Sequence, residues 1–223
     1  MPATIHAYRE VASSFGASPR TSAGFAAPTA GRSFLVAVTT SGGEVLDTAS
    51  PSLTDSAGNT YVLDGYMQVG GGGTSSTTAI FRCQTISGAP TTWTFTWTGG
   101  SSAVYFFGIE VSGLKAAPFL RISSVATAYG LDSSTAYTTV QANELAFGRL
   151  LSGGSAFVGV GGMTVQDDVA ETYSNSIYNA DLGAAGSKTL GATWTGSQTW
   201  KQQLAFYDTA AAAAAGAVII NVM

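Results

Sequence analysis

The stretch LTDSAGNTYVLDG, residues 53–65, concentrates oxygen-bearing side chains that could bind a cation. Asp55, Asn59 and Asp64 lie within ten residues of one another. Calcium takes six to eight oxygen ligands, and its common loops place acidic or amide side chains at alternate positions. Here Asp55 and Asn59 are four residues apart, and Asp55 is the one acid of the tight segment. Asp55 and Asn59 are therefore weak metal candidates, and no cofactor is expected.

The same stretch also fits a turn, which is the favoured interpretation because it needs only local hydrogen bonds. An Asp side chain can accept backbone N–H groups in an Asx-turn, while Gly58 and Asn59 tolerate positive φ. Leu53, Tyr61 and Leu63 alternate with polar residues on either side. This pattern predicts a hairpin whose turn fixes the register of its two strands.

Paired carboxylates are the second kind of chemistry to consider, since glycoside hydrolysis uses two of them about 5–10 Å apart. The candidates are Glu110, Asp167, Asp168, Glu171 and Asp208. Glu110 and Asp208 end apolar segments, where acids usually face solvent or cap a turn. The segment QDDVAE, residues 166–171, has the composition of a solvated loop. We expect no catalytic pair.

Nucleophilic and zinc chemistry have few residues to draw on. His6 is the only histidine and lies near the N-terminus, and Cys83 is the only cysteine. A nucleophile needs a base beside it, and a zinc site needs several His or Cys ligands. The sequence predicts a non-enzyme without an intrachain disulfide, in which Cys83 is a small buried strand residue.

Aromatic side chains in polar stretches could stack on sugars. Trp200, Tyr173 and Tyr178 lie in such stretches and are the candidate glycan contacts. Tyrosine and tryptophan combine an apolar body with a polar tip, so they also suit the edge of a core or a protein interface. The core-edge or interface role is the favoured interpretation.

The composition excludes several classes of partner. Charged residues make up 10% of the chain, against about 25% in average soluble domains. The net charge is −4, and the nine Lys and Arg residues are scattered, so no basic stripe exists for nucleic acid. The longest apolar run, residues 210–220, is shorter than the ~20 residues that span a membrane. The uncharged polar surface suits packing against other protein.

The periodicity of the chain is that of β-strands. In TTWTFTWT, residues 91–98, Trp93, Phe95 and Trp97 alternate with threonines, so the aromatics share one face. Strands are also predicted at residues 33–40, 77–86, 103–111, 144–151, 188–194, 202–208 and 217–223, with a weaker candidate at 4–11. No segment shows a convincing amphipathic helix. The predicted fold is an all-β, antiparallel β-sandwich that is jelly-roll-like.

An internal repeat is visible in two pairs of segments. Residues 31–43 resemble 143–154, since each is an apolar strand followed by Ser-Gly-Gly. Residues 94–111 resemble 191–208, since each contains Thr-Trp-Thr-Gly, a polar turn and a strand. The sandwich is therefore expected to contain two pseudo-repeated halves.

The repeat also sets the expected domain organisation. The half-units are predicted at about 31–114 and 143–208, within a single domain that covers residues 1–223. The segment 115–142 is expected to cross from one half to the other. Residues 210–223 are expected to form a C-terminal arm.

Three pieces of the chain resemble β-sandwich proteins of tailed-bacteriophage virions. They are AGRSFLVAV, then LTDSAGNTYVL followed by AIFRC, and then VYFFGIEVSGL followed by NELAFG, in that order along the chain. The resemblance implies a jelly-roll-like sandwich with a structural or adhesive role, of the decoration, head-fibre or tail type. It implies no catalytic residues.

Two functions are carried forward as expectations. The leading one is a structural protein of a bacteriophage particle, made in the host cytoplasm because no secretory signal is visible, and located in the virion. Its partners would be other virion proteins and further copies of itself, with a trimer or a higher symmetric oligomer expected. The alternative is a carbohydrate-binding module or adhesin that recognises host surface glycans.

The C-terminal arm supplies the predicted interface. Its contact residues are Ala217, Val218, Ile219, Ile220 and Val222. A β-branched segment of this kind can add to the exposed edge of a sheet, and small residues before it allow close approach.

Overall fold

The computed structural model describes residues 2–41, 51–69, 76–98, 100–152, 155–167 and 174–210. These residues form antiparallel β-sheets that pack face to face, and they contain no helix. The prediction of an all-β antiparallel sandwich is confirmed. No helical segment in the described ranges has the length and hydropathy needed to cross a bilayer.

The first half of the chain contains eight strands in two layers. They are β1 Thr4–Gly16, β2 Arg20–Thr21, β3 Ser33–Ser41, β4 Ser52–Asp55, β5 Val62–Val69, β6 Ser76–Cys83, β7 Trp93–Thr96 and β8 Ser102–Ser112. One layer is a five-stranded sheet with the order β1-β8-β3-β6-β5, and the other is a three-stranded sheet with the order β2-β7-β4. The pairs β1·β8, β2·β7 and β3·β6 are therefore nested along the chain.

The second half builds the same arrangement from seven strands. They are β9 Leu114–Asp132, β10 Thr135–Thr139, β11 Leu145–Ser152, β12 Ser155–Val160, β13 Thr164–Asp167, β14 Ser174–Asn179 and β15 Gly186–Thr209. These strands form one seven-stranded sheet in which the long strand β15 has two sets of partners: residues 186–195 pair with β10 and β12, and residues 200–207 pair with β11 and β9. The resulting order β9-β15-β11-β14-β13 matches β1-β8-β3-β6-β5 strand for strand.

The two halves are larger than the sequence suggests. Segment 115–142, expected as a crossover, instead forms most of β9 and all of β10, so that prediction is wrong. The halves also include β1 and β2, and they meet at Gly113, whose φ of 85° allows the turn between β8 and β9. The sequence does not predict strand β9, because many of its side chains are only partly buried and its apolar and polar residues therefore do not alternate regularly. The count of one domain stays a prediction.

Three hydrophobic clusters hold the layers together. The first lies between the two sheets of the first half and contains Trp93, Phe95 and Trp97 on one face, as the periodicity predicts. The second lies within the second half and contains Trp194 and Trp200.

The third cluster joins the five-stranded sheet to the facing sheet of the second half. It contains Phe107 and Ile109 from the first half and Phe147 and Tyr207 from the second. The five-stranded sheet is thus covered on both faces, which explains why residues 34–38 of β3 are all apolar and buried.

Candidate functional site

The candidate metal loop is a hydrogen-bonded turn centred on Asp55. Oδ1 of Asp55 accepts the backbone N–H groups of Ala57 and Asn59, each at 3.0 Å. Oδ2 accepts Nδ2 of Asn59 at 2.8 Å and the hydroxyl of Tyr61 at 3.0 Å. Four protein donors therefore occupy the carboxylate, close to the number that it can accept.

Asn59 is equally committed to the protein. Its Oδ1 accepts the backbone N–H and the hydroxyl of Ser87, at 2.7 and 2.8 Å, and its Nδ2 also donates to the Ser87 carbonyl at 3.0 Å. Within the described residues, no group of three or more His, Cys, Asp or Glu is placed to hold a metal ion. The arrangement of Asp55 and Asn59 is that of a structural turn.

The turn does not form a hairpin, so that part of the prediction is wrong. Strand β4 belongs to the three-stranded sheet and β5 to the five-stranded sheet, and the loop crosses between the layers. Leu53, Tyr61 and Leu63 all pack in or against the first cluster. Apolar residues alternate with polar ones here because both strands turn one face toward the same core. Strands of two different sheets can do this as well as the two strands of a hairpin.

The loop is also anchored to the core through Tyr61. The indole N–H of Trp93 donates to the Tyr61 hydroxyl at 3.1 Å, and that hydroxyl donates to Asp55. Burial, followed by the nearby Asp55 carboxylate, raises the pKa of Tyr61 far above its usual value. The Tyr61 phenol therefore keeps its proton near neutral pH and donates its hydrogen bond to Asp55.

We expect Asp55→Ala to lower the free energy of unfolding by about 2 kcal/mol, because buried donors lose their acceptor. Urea denaturation measures the change. Asp181→Ala is the control, since Asp181 is exposed and caps a surface turn through the N–H of Gly183. Millimolar calcium should leave the melting temperature of the parent protein unchanged. A calcium-dependent rise that Asp55→Ala abolishes would restore the metal interpretation.

A shallow cleft of about 430 Å³ lies beside this loop. Its lining includes the polar residues Asn59, Gln84 and Ser87, and Cys83 also lines it. Burial raises the pKa of the Cys83 thiol to about 11, so the thiol is protonated near neutral pH and is a poor nucleophile. The described lining includes no carboxylate, lysine, arginine or histidine, and thus no acid–base pair.

The two candidate carboxylates that the structure describes, Glu110 and Asp208, form ion pairs with cationic side chains and not a pair with each other. Oε1 of Glu110 lies 2.5 Å from the Arg32 guanidinium and accepts the N–H of Thr29 at 3.1 Å. Asp208 contacts Nζ of Lys115 at 2.6 Å. Side chains of the other candidates, Asp167, Asp168 and Glu171, lie outside the described part of the chain.

The electrostatics of Glu110 are unsuited to a general acid. Burial acts to raise its pKa, but the hydrogen bonds from Arg32 and Thr29 outweigh burial and leave the pKa below its usual value. A glycosidase acid needs the opposite shift, because it must hold a proton near neutral pH.

Glu110 should instead make the protein sensitive to acid. Its folded-state pKa lies below the unfolded value of about 4.5, so the unfolded chain takes up the proton more readily. The stabilisation is complete above that unfolded pKa and is lost as the pH falls through the folded pKa. Urea midpoints between pH 3 and 7 should fall less steeply for Glu110→Gln than for the parent protein. An equally steep fall in both would contradict this role.

His6 has one contact that the sequence did not reveal. Its Nε2 lies 2.8 Å from the hydroxyl of Ser112, which is 106 residues away along the chain. A serine–histidine pair is the core of a catalytic triad, but the imidazole must also be oriented by a third group. Among the described hydrogen bonds, none joins His6 to a carboxylate, so the pair is an exposed polar contact between β1 and β8.

The three candidate glycan contacts differ in exposure and in whether the structure describes them. Trp200 is only 6% exposed and packs edge-on against Trp194 in the second cluster, so it cannot stack on a sugar. Tyr173 lies outside the described residues, as do the predicted interface residues 217–222. Tyr178 is partly exposed at the boundary between the two halves.

Tyr178 belongs to an aromatic group that the sequence could not predict. The ring of Phe107 lies 6.4 Å from that of Tyr178 and 5.9 Å from that of Tyr8, measured between centroids. The amide of Gln166 donates to the Tyr8 hydroxyl at 3.0 Å. These side chains come from β8, β14, β1 and β13, and only the packing of the two central sheets brings them together.

No protein-family model matches the chain, and neither a curated protein nor a solved structure matches it.

Proposed function

We propose that the protein is a structural component of a tailed-bacteriophage particle and that it acts by protein–protein assembly. The observation that carries the proposal is the doubled strand order. In the first half β1 pairs with β8, β2 with β7 and β3 with β6, and in the second half β9 and β10 both pair with β15 while β11 pairs with β14. Nested pairing of this kind supports a jelly roll, an architecture common in viral capsid proteins and lectins.

The distribution of charge supports an assembly role. Asp64, Glu110, Glu144 and Asp208 are buried, and each forms an ion pair with an arginine or lysine. These carboxylates are paired inside the fold rather than exposed on its surface. The weakly charged surface that remains presents little repulsion to neighbouring protein.

Exposed apolar side chains on that surface could pack against a neighbouring protein. Phe15, Tyr129, Val140 and Val158 are each more than half exposed. They lie on β1, on β9, after β10 and on β12, so both halves contribute. Interfaces of stable assemblies are enriched in such groups.

Deleting the C-terminal arm tests the proposal, because the sequence predicts that this arm contacts neighbouring proteins. A chain lacking residues 210–223 should fold, lose its oligomeric state in sedimentation experiments, and fail to bind particles that lack the protein. The quadruple variant Phe15→Ser, Tyr129→Ser, Val140→Ser and Val158→Ser should bind more weakly if the described surface also takes part. A truncated monomer that binds particles as well as the intact chain would refute the arm as the contact.

Glycan recognition is the second function, and one observation favours it. The jelly-roll wrapping also occurs in lectins, but fold alone does not set function. The specific support is Tyr178, which is partly exposed beside a second tyrosine, Tyr8.

A further inference from the structure

The boundary between the two halves carries an aromatic surface, which we call the tyrosine seam and define as Tyr8, Gln166 and Tyr178. Strand β1 is an edge of the five-stranded sheet and β13 is an edge of the facing sheet. The contact of Gln166 with Tyr8 shows that these two edges lie against each other. The seam is thus formed only when both halves are packed.

A rigid base supports the seam. Phe107 lies between the two tyrosines and is fully buried, and its ring is nearly parallel to that of Tyr178, at 18°. Phe107 also stacks on Phe147 at 5.8 Å. Aromatic rings held in this way lose little conformational entropy when a ligand binds.

The exposed part of the seam is both apolar and hydrogen-bonding. Tyr8 is 44% exposed, and its hydroxyl accepts from Gln166 and keeps its own proton to donate. Burial, and second the nearby Tyr8, raises the pKa of Tyr178, so the Tyr178 phenol keeps its proton at physiological pH. Rings with polar tips beside an amide are the groups that contact a sugar through its C–H face and its hydroxyls.

The charges around the seam select for a neutral ligand. Arg9, the next residue on β1, directs its guanidinium to the carbonyl of Ala26 and to Glu110. The seam itself contains no carboxylate, lysine or arginine, so it offers a ligand ring faces and hydrogen bonds rather than an ion pair.

We propose that the tyrosine seam binds a neutral saccharide. The ring of one hexose unit packs against Tyr8 and Tyr178, and its hydroxyls exchange hydrogen bonds with the phenols and with Gln166. None of the seam residues belongs to segment 210–223, which the sequence predicts as the assembly contact.

A glycan array probed with the full-length protein tests the seam. The array should contain neutral oligosaccharides of glucose, galactose, mannose and N-acetylglucosamine, together with sialylated and sulfated counterparts. We expect binding to a subset of the neutral glycans and none to their charged counterparts. Binding confined to charged glycans, or no binding at all, would overturn the proposal.

Variants then locate the site by calorimetry with the best neutral glycan. Tyr8→Ala and Tyr178→Ala should each weaken binding roughly tenfold or more, which is the loss expected for one stacking aromatic. Tyr129→Ala is the matched control, because Tyr129 is the most exposed tyrosine, at 74%, and lies outside the seam. Gln166→Ala and Tyr8→Phe should also weaken binding. They replace the alanine variants in the test if Tyr8→Ala or Tyr178→Ala does not fold. Equal affinity for all seam variants and the parent protein would refute the site.

Glycan binding by the seam can be measured separately from assembly into particles. Seam variants should enter particles as the parent protein does, whereas the truncated chain should retain glycan binding in solution. Loss of particle incorporation in a folded seam variant would instead make the seam a protein interface and overturn the saccharide proposal.

Discussion

Replacing Trp93 with alanine is expected to lower the free energy of unfolding by about 3–5 kcal/mol, the range for large aromatic residues in a core. Trp93 is completely buried, and its ring centroid lies 4.0 Å from that of Phe25 and 5.1 Å from that of Phe34. Its indole N–H also donates to Tyr61, which holds the Asp55 loop. The substitution removes the centre of the first cluster and an anchor of the loop together.

The surroundings of Trp93 show how closely this cluster is packed. A Cβ added at Gly108 would lie 2.7 Å from Cη2 of Trp93 and 2.8 Å from Phe34. Gly108→Ala should therefore cost about 1–3 kcal/mol through overpacking, while Gly108→Ala combined with Trp93→Phe should cost less than the sum of the two changes. Tyr129→Ala is the control and should change stability by less than about 0.5 kcal/mol. Equilibrium urea unfolding measures these variants together with Trp93→Phe alone, and a loss below about 1 kcal/mol for Trp93→Ala would contradict this packing.

The second large effect is expected at Asp64, which joins the two halves. Its carboxylate contacts the Arg82 guanidinium at 3.0 and 3.1 Å and accepts the hydroxyl of Tyr207 at 2.9 Å. Asp64 and Arg82 lie on β5 and β6 of the first half, and Tyr207 lies on β15 of the second. Asp64→Ala leaves a largely buried cation and a buried hydroxyl without their acceptor, at a cost of about 3 kcal/mol.

The same network predicts that removing all three polar groups should be far less harmful. Burial raises the pKa of Asp64, and the hydrogen bonds from Arg82 and Tyr207 only partly offset this effect. Desolvation of the carboxylate therefore outweighs the attraction of its partners. The triple variant Asp64→Leu, Arg82→Met and Tyr207→Phe should recover most of the stability lost in Asp64→Ala. A triple variant less stable than Asp64→Ala would show that the network is strongly stabilising.

The parts of the fold that follow from local patterns could be predicted from the sequence. Trp93, Phe95 and Trp97 repeat every second residue and share one face of the first cluster. The repeated Thr-Trp-Thr-Gly segments point to the two halves, because the first begins at the end of β7 and the second lies within β15, which takes the places of β7 and β8 in the second half. Strand β15 is an exception, since what looks like two strands at 188–194 and 202–208 is one continuous strand.

The parts that depend on how the sheets stack could not be predicted. The alternation around Asp55 is the same whether its flanking strands pair with each other or only face a common core. Tyr8 and Gln166 are 158 residues apart, and their contact arises from the packing of two sheet edges. Trp200 has polar neighbours in sequence, yet the period of β15 turns its side chain into the second cluster.

The most direct test of the structural role is the number of copies in purified phage particles that carry the gene. Quantitative mass spectrometry against a capsid protein of known copy number gives this value. An assembly protein should be present in a fixed number of copies, a multiple set by the three-, five- or six-fold symmetry of its location, and should remain after the particles are washed in high salt. Recovery of the protein only in the soluble host fraction, with none in washed particles, would contradict the proposal.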